Sequence, residues 1–415
     1  MKNIAKLVKD KCPDGVEFKR LGEVTTWDKR FNGVSKELQP TTVKFKHISA
    51  AKLKELSHEY GDVRLLATGN FEGYAYREEV DKSLINNGEV ISIPTGGCAN
   101  IKYHKGEFID SGNLLAVSTD QTKYNLKYIW YWLLENNQLI QERFRGSAVQ
   151  HPDMASILKL PIPLPPLPVQ QAIVDILDSF TELTAELTAE LTAELTARKK
   201  QYEFYREELL GFEGRDDVEW KKLGEVCGFQ NGYAFKSSKF NAEGTPILRI
   251  TNIQDGQICS EGCVYFNKQD YAVNLDRYRV CKDAIVVAMS GATTGKIGYN
   301  YTDAVYYLNQ RVGMFKPHAE SLNKRYLYHW LLSMSSYILS ISMGTGAQPN
   351  LSTESMMGIT IPIPSLAEQE RIVSILDQFD TLTNSLTEGI PAEIGLRQKQ
   401  YEFYRNKLLT FKEAK

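Results

Sequence analysis

The chain has 415 residues, 49 basic against 51 acidic side chains, a formal net charge of −2, and 42% hydrophobic and 24% charged content. That length suits two or three domains of ordinary globular composition. It excludes a chain coated in positive charge, but not a local basic face, which is all that phosphate neutralisation requires.

No apolar run approaches the roughly 18 residues of a membrane span. The N-terminal MKNIAKLVKDKC lacks an apolar signal core. Six scattered cysteines without a CxxC pair point to a reducing cytoplasm. Cys259 and Cys263 stand four apart with no histidine near them, which reads as buried thiols rather than a metal site.

In chain order, the first element is a β-rich block over residues 16–160. It opens with VEFKRLGEV (Val16–Val24), carries a strand signal at Gly88–Ile93, and holds one helix with aromatics at helical spacing, Tyr128–Leu134. Core packing is the expected role of those aromatics. Pro161–Pro168 then forms a stiff extended strap, because proline continues neither a helix nor a central strand. Helical periodicity follows over Val169–Phe212, about 65 Å if continuous. Its middle reads TAEL three times (Thr184–Leu195), which places Leu183, Leu187, Leu191 and Leu195 on one slowly drifting stripe. Heptad spacing with inserted fours predicts a coiled coil that is locally unwound there.

The chain then says nearly the same thing again. VEWKKLGEV at Val218–Val226 matches the opening motif, 202 positions on. The second block, 218–360, has strand signals at Ile247–Ile253, Ala284–Met289 and Val305–Leu308, and a helix at Tyr326–Leu332. A second strap, Pro362–Pro364, leads to ILDQF, which matches ILDSF. RQKQYEFYR (Arg397–Arg405) repeats RKKQYEFYR (Arg198–Arg206) 199 positions on. The second rod keeps an apolar register through Phe379, Leu382, Leu386 and Ile390, but Gly389, Pro391 and Gly395 should kink or fray it. With ILDxF and QYEFYR both returning 199 positions on, the chain is a tandem repeat of one block-plus-rod unit.

The expected fold is therefore α+β. Two β-rich domains (1–165 and 213–364) are separated by two long antiparallel coiled-coil helices (166–212 and 365–415), with pseudo-twofold symmetry. The C-terminal FKEAK is expected near residues 1–15, closing the repeat.

The straps, the ILDxF openings, the TAEL units and the QYEFYR ends together resemble the specificity subunit of Type I restriction-modification systems. Asn231–Phe240 (NGYAFKSSKF), Pro246–Ile253, Met289–Gly298 (MSGATTGKIG), Leu308–Val312 (LNQRV) and Gly344–Leu351 (GTGAQPNL) strengthen the resemblance, which covers essentially the whole chain. It implies a non-catalytic reader of double-stranded DNA, each block a target recognition domain for one half of a split, asymmetric site. It further implies two methyltransferase subunits docked on the rods and bringing S-adenosylmethionine, restriction subunits bringing ATP-driven translocation, and a TAEL count that sets the gap between half-sites. The chain itself is expected to hold no cofactor and no metal and to touch no membrane. The alternative from another class is a two-headed adaptor for protein or glycan.

Gly291–Lys296 (GATTGK) is no P-loop: it has one residue too few between its glycines, Ile297 replaces the magnesium-binding hydroxyl, and the following IGYNY reads as strand. The resemblance makes it a DNA-contacting loop instead, with Ser290, Thr293, Thr294 and Lys296 as candidates. Its counterpart in the first block is Thr95–Lys102, with Thr95, Asn100 and Lys102. Base-edge chemistry favours arginine with guanine and Asn or Gln with adenine. That adds Gln310, Arg311, Gln348 and Asn350 in the second block and Gln150 and His151 in the first, His151 aligning with Pro349. Tyr233, Phe235 and Lys236 follow a glycine turn and complete the set. On the rods Tyr202, Phe204, Tyr205, Tyr401, Phe403 and Tyr404 are the candidate partner-binding residues, half expected to pack rod on rod.

Overall fold

The structure, a computed structural model, describes residues 2–254, 256–342, 349–385 and 388–414. The chain forms two compact units, Met1–Leu187 with Leu396–Lys415, and Thr188–Gly395. Each unit therefore contains one block, the start of the long helix that follows it and the end of the other long helix. The mixed α+β composition and the tandem repeat agree with the sequence.

In the first unit, helix α1 (Lys2–Lys11) precedes β1 (Glu17–Arg20), β2 (Thr25–Trp27), β3 (Val63–Leu66), β4 (Glu72–Ala75), β5 (Asn86–Pro94), β6 (Lys102–Asp110) and β7 (Asn113–Ser118). Six of these strands form one sheet in the order β2-β7-β5-β6-β3-β4, parallel only where β3 meets β6. Alternation decides which residue faces where. Ile91, Ile93, Leu114 and Ala116 face a core shared with the helix Leu126–Glu135, while Val90, Phe108 and Leu115 fill the opposite face. Because both faces are covered, β5 is buried continuously from Val90 to Pro94. The Asn125 side chain caps the helix by accepting from Lys127 N and Tyr128 N. Tyr128, Tyr131 and Trp132 are buried, so the aromatic stripe is core.

The first strap is more than an entry to the rod. Pro161–Leu164 pairs antiparallel with β1, Glu17 opposite Leu164 and Arg20 opposite Pro161. A two-stranded ladder has free edges, where proline costs no central hydrogen bond. Thr360–Ile363 and Glu219–Lys222 repeat the arrangement in the second unit.

The second unit's six-stranded sheet runs Cys227–Asn231, Val312–Pro317, Ile285–Ala288, Ile297–Tyr299, Gly256–Ile258 and Ile253–Gln254. A four-stranded sheet contains Val264–Phe266, Thr245–Leu248, Tyr306–Leu308 and Arg279–Val280. Ile247–Ile253 is not one strand. The chain turns at Ile250–Asn252, where the Asn252 side chain accepts from Arg249 N at 3.1 Å and replaces a ladder bond by a local one. The helix Lys324–Ser333 again carries an asparagine cap, Asn323.

The central helix is unbroken from Leu167 to Leu210, 44 residues, or about 66 Å. The C-terminal helix is interrupted, running Leu366–Asn384 and then Ile390–Leu409. Gly389 marks the break: a Cβ there would lie 2.4 Å from Thr381 O. Leu386 lies outside the described residues.

Within each unit the start of one long helix lies against the end of the other, so the two chain directions are opposed. In the first, the Thr181 and Tyr401 hydroxyls are 3.0 Å apart and the Phe180 and Tyr404 rings 5.7 Å. In the second, Tyr205 stacks on Phe379 at 5.3 Å. The chain ends meet as expected. Val16 N donates to Lys412 O at 2.9 Å and Ala414 N donates to Val16 O at 2.9 Å.

Candidate nucleic-acid interface

Backbone bonds at one end of the second unit's sheet gather three loops. Met289 N donates to Arg311 O at 2.8 Å, Leu351 N to Met289 O at 2.7 Å, and Gly291 N to Pro349 O at 3.3 Å. The result is an open cleft of about 480 Å³ lined by Asn231, Ser290, Gln310, Arg311, Asn350 and Thr353, among others. Gln310, Arg311 and Asn350 are exposed, and Lys296 is exposed on the adjoining loop. Gly291 and Gly295, at φ +84° and +83°, give that loop the left-handed turns that a residue with a Cβ resists. Ser290 Oγ is buried with no hydrogen-bond partner among the described residues.

Other candidates serve the loop rather than its surroundings. Thr294 is 5% exposed and its hydroxyl donates to Gly291 O at 2.7 Å. Thr293 Oγ1 donates to Ile250 O at 3.3 Å. Phe235 is a core residue, its ring 4.7 Å from that of Phe266, so the expectation of a DNA contact there is corrected. Tyr233 is half-buried against Tyr271 and Tyr278, and Lys236 is exposed. Gln348 lies outside the described residues. The P-loop alternative is excluded, since Lys296 leads into the strand Ile297–Tyr299 and not a helix.

The first unit gathers the same loops. Gly97 N donates to Gln150 O at 2.8 Å, His151 Nδ1 lies 2.6 Å from Thr95 O, and Thr95 Oγ1 donates to Gly112 O at 2.9 Å. The bond between Gly97 and Gln150 stands where Gly291 and Pro349 are joined in the second unit. His151 therefore corresponds to Asn350, one residue beyond its alignment by sequence. Gln150 and His151 are exposed, although Gln141 Nε2 donates to Gln150 Oε1 at 3.0 Å.

Strand register corrects a second alignment. Ile91 faces Tyr103 as Ile285 faces Tyr299, so Lys102 corresponds to Gly298, and Asn100 to Lys296. Asn100 and Lys102 turn inward. Asn100 Nδ2 donates to Gly69 O at 2.8 Å, and Lys102 Nζ to Gly69 O at 2.7 Å and Ala67 O at 3.0 Å. Burial pushes the Lys102 ammonium below its ordinary pKa.

Sequence reasoning missed Asn231 and Thr353, whose side chains meet at 3.1 Å on the cleft wall. An asparagine before the glycine turn of NGYAF was the available signal for the first. Nothing in the sequence marked Thr353.

On the helices, Tyr202 is 5% exposed and its hydroxyl lies 2.8 Å from His329 Nδ1, so it belongs to the second unit's core rather than to a partner surface. Tyr205, Tyr401 and Tyr404 are committed to packing between helices. Phe204 and Phe403, 199 positions apart, are 58% and 61% exposed. Among the described residues no three His, Cys, Asp or Glu side chains converge as metal ligands, and no helix is long and apolar enough to cross a membrane.

The family described as the Type I restriction modification DNA specificity domain matches this chain twice, at 13–197 and 215–396. The EcoR124I/EcoR124II type I restriction enzyme specificity subunit of Escherichia coli is 37% identical over 306 residues, covering 72% of this chain and 74% of its own. A putative type I restriction enzyme specificity subunit of Haemophilus influenzae is 31% identical over 359 residues, covering 84% and 90%. Among solved structures, the type I restriction-modification S subunit from M. genitalium aligns with a TM-score of 0.51 at 18% identity, over 95% of this chain and 96% of that one. A chain from a structure titled for the assembly and conformational transition of the type I R-M system gives 0.57 at 17%, over 96% and 98%. At such identities these structures speak for the fold.

Proposed function

The chain belongs to the Type I restriction-modification DNA specificity family, and from that premise we propose how it reads and whom it carries. It is a DNA sequence-recognition subunit without catalysis of its own. The recognition domains are 1–165 and 213–364, each reading one half of a split, asymmetric site in double-stranded DNA. The observation that carries this is the cleft where Gln310, Arg311 and Asn350 stand exposed together. Guanidinium suits the guanine O6/N7 edge and carboxamides suit adenine N6/N7. Gln150 and His151 hold the matching place in the first block, and Lys296, Lys236 and Tyr233 serve the phosphate backbone around the second.

Phe204 and Phe403 are equivalent exposed anchors for two methyltransferase subunits, which supply S-adenosylmethionine; restriction subunits with ATP-driven translocation join that core in the cytoplasm. A two-headed adaptor would leave the exposed amide and arginine cleft without a purpose. The TAEL units count out the gap between half-sites, at about 6 Å per unit of four.

The test is to sequence methylated adenines in cells carrying this chain with its methyltransferase, beside a version lacking one TAEL unit. A split motif whose gap alone shortens supports both reader and ruler. No split motif with a competent partner would sink the reader, and an unchanged gap the ruler.

A further inference from the structure

The turn between β3 and β4 is built around a half-buried cation. Lys102 Nζ donates to three of its carbonyl oxygens, Gly69 at 2.7 Å, Ala67 at 3.0 Å and Phe71 at 3.4 Å, and Asn100 Nδ2 adds a second bond to Gly69. The root of the turn is held as firmly. Leu66 O accepts from Ser111 N and from Asn113 Nδ2, both at 3.0 Å. Ser111 adjoins Gly112, whose carbonyl accepts from Thr95, and Thr95 O meets His151. One continuous set of hydrogen bonds thus places the β3–β4 turn on the same rim as Gln150 and His151.

The rim has a gap in chemistry. Strand register puts Ser111 and Gly112 where the second unit has Gln310 and Arg311, since Asn113 faces Pro94 as Val312 faces Ala288. The first block therefore lacks the long polar side chains that its counterpart presents there. What the turn presents instead is Asn70, exposed, with no hydrogen bond for its amide among the described residues. The comparable stretch of the second unit, Ile250–Asn252, does the opposite. Asn252 is wholly buried, its amide accepting from Arg249 N and donating to Glu261 O, both at 3.1 Å.

We propose that the β3–β4 turn is a second base-reading element of the first block. Asn70 is its contact, suited to the N6/N7 edge of an adenine, and Lys102 is a positioning residue that fixes the turn from beneath. The proposal rests on the DNA-reading role above and deepens it. A carboxamide donates and accepts at the spacing of adenine N6 and N7, and only a fixed backbone lets both bonds form at once. Organising a turn with an ammonium under three carbonyls supplies that fixity from below, leaving the upper surface clear.

The test uses the full chain with its methyltransferase, and genomic DNA sequenced for methylated adenines as the probe. Asn70→Ala, on an exposed turn, should relax one A·T pair in one half-site by about tenfold or more, with the other half-site unchanged. Arg311→Ala should relax the opposite half and serves as the control. Lys102→Met should relax the same pair as Asn70→Ala; loss of thermal stability without that relaxation would make Lys102 merely structural. If wild type methylates a split motif and Arg311→Ala relaxes it while Asn70→Ala changes nothing, the turn is no reader and the inference falls alone. If wild type methylates no split motif, the DNA-reading role falls with it.

Discussion

His329 Nε2 lies 2.7 Å from Asp377 Oδ1, while its Nδ1 takes the Tyr202 hydroxyl at 2.8 Å. The carboxylate fixes the proton on Nε2, so the neutral ring donates to one long helix and accepts from the end of the other. In the first unit Tyr131 occupies the matching place and donates to Asp178 at 2.6 Å. The aspartate of ILDxF thus ties rod to block in both units, with Lys127 at 2.7 Å and Arg325 at 2.6 Å as the flanking cations.

This pairing predicts an acid weakness in the second unit. Burial pushes the His329 pKa down, outweighing the Asp377 hydrogen bond that would raise it. A base whose folded pKa lies below its unfolded value contributes stability above the unfolded value, about 6.5, and loses it as pH falls. Asp377 adds a loss at more acidic pH: burial raises its pKa, but hydrogen bonds from His329 and Arg325 prevail and hold it low. Amide exchange in Lys324–Ser333, corrected for intrinsic rates, should speed up as pH falls from about 7 to about 5.5, a window that spans the ordinary histidine value. His329→Gln should flatten the response, and an unchanged slope in that variant would reject the assignment.

The first unit should respond with the opposite sign. His47 Nδ1 lies 2.7 Å from Asp110 and its Nε2 3.2 Å from Asp28. The Asp110 hydrogen bond raises the His47 pKa against the desolvation that lowers it. Its contribution is complete below the unfolded value and disappears as pH rises through the folded one. Raising the pH should therefore loosen the segment Asp28–His47, read as faster exchange there. His47→Phe should abolish the pH response and leave the segment loose throughout.

Arg311→Ala should weaken recognition of one base pair by about 1–3 kcal/mol and relax the motif at that position alone. Because the side chain is exposed, stability should change by less than about 0.5 kcal/mol. Competition binding with single-substituted duplexes at fixed salt checks both. Uniform weakening across sequences would instead make Arg311 a phosphate contact.

Each exposed phenylalanine should govern one methyltransferase copy. Phe204→Ala or Phe403→Ala should leave a complex with one copy, and the double variant should leave none, as counted by native mass spectrometry. Two copies retained on either single variant would place the anchors elsewhere.

The bonds between Val16 and the segment Lys412–Ala414 close in the first unit what Phe212–Val218 joins covalently in the second. A permutant linking residue 415 to residue 1 and opened between Gly211 and Asp217 should keep its methylated motif. Intact folding with a lost motif would show that the covalent order matters.

Much of this was legible in the sequence because repetition and periodicity are local. Two copies of VEFKRLGEV-like and QYEFYR segments dictated the tandem build, and Gly389 with Pro391 marked the broken helix. The site was legible only in part. Gln310, Arg311 and Asn350 were visible as amide and guanidinium groups in loops. Phe235, Thr294 and Tyr202 looked equally available, yet each is drawn into the interior. Solvent exposure depends on what packs from distant parts of the chain, and no window around a residue records that.

The sequence by itself determined the tandem repeat, the two long helices and the break in the second, since proline, glycine and apolar spacing act through the nearest few bonds. Only the tertiary structure decided register. The ladder of β5 with β6 set Lys102 at the place that Gly298 holds in the second unit, where pairing the ends of the two loops would set it against Lys296. Side chains alternate across a strand, so a shift of a single residue changes a contact with solvent into a contact with the core.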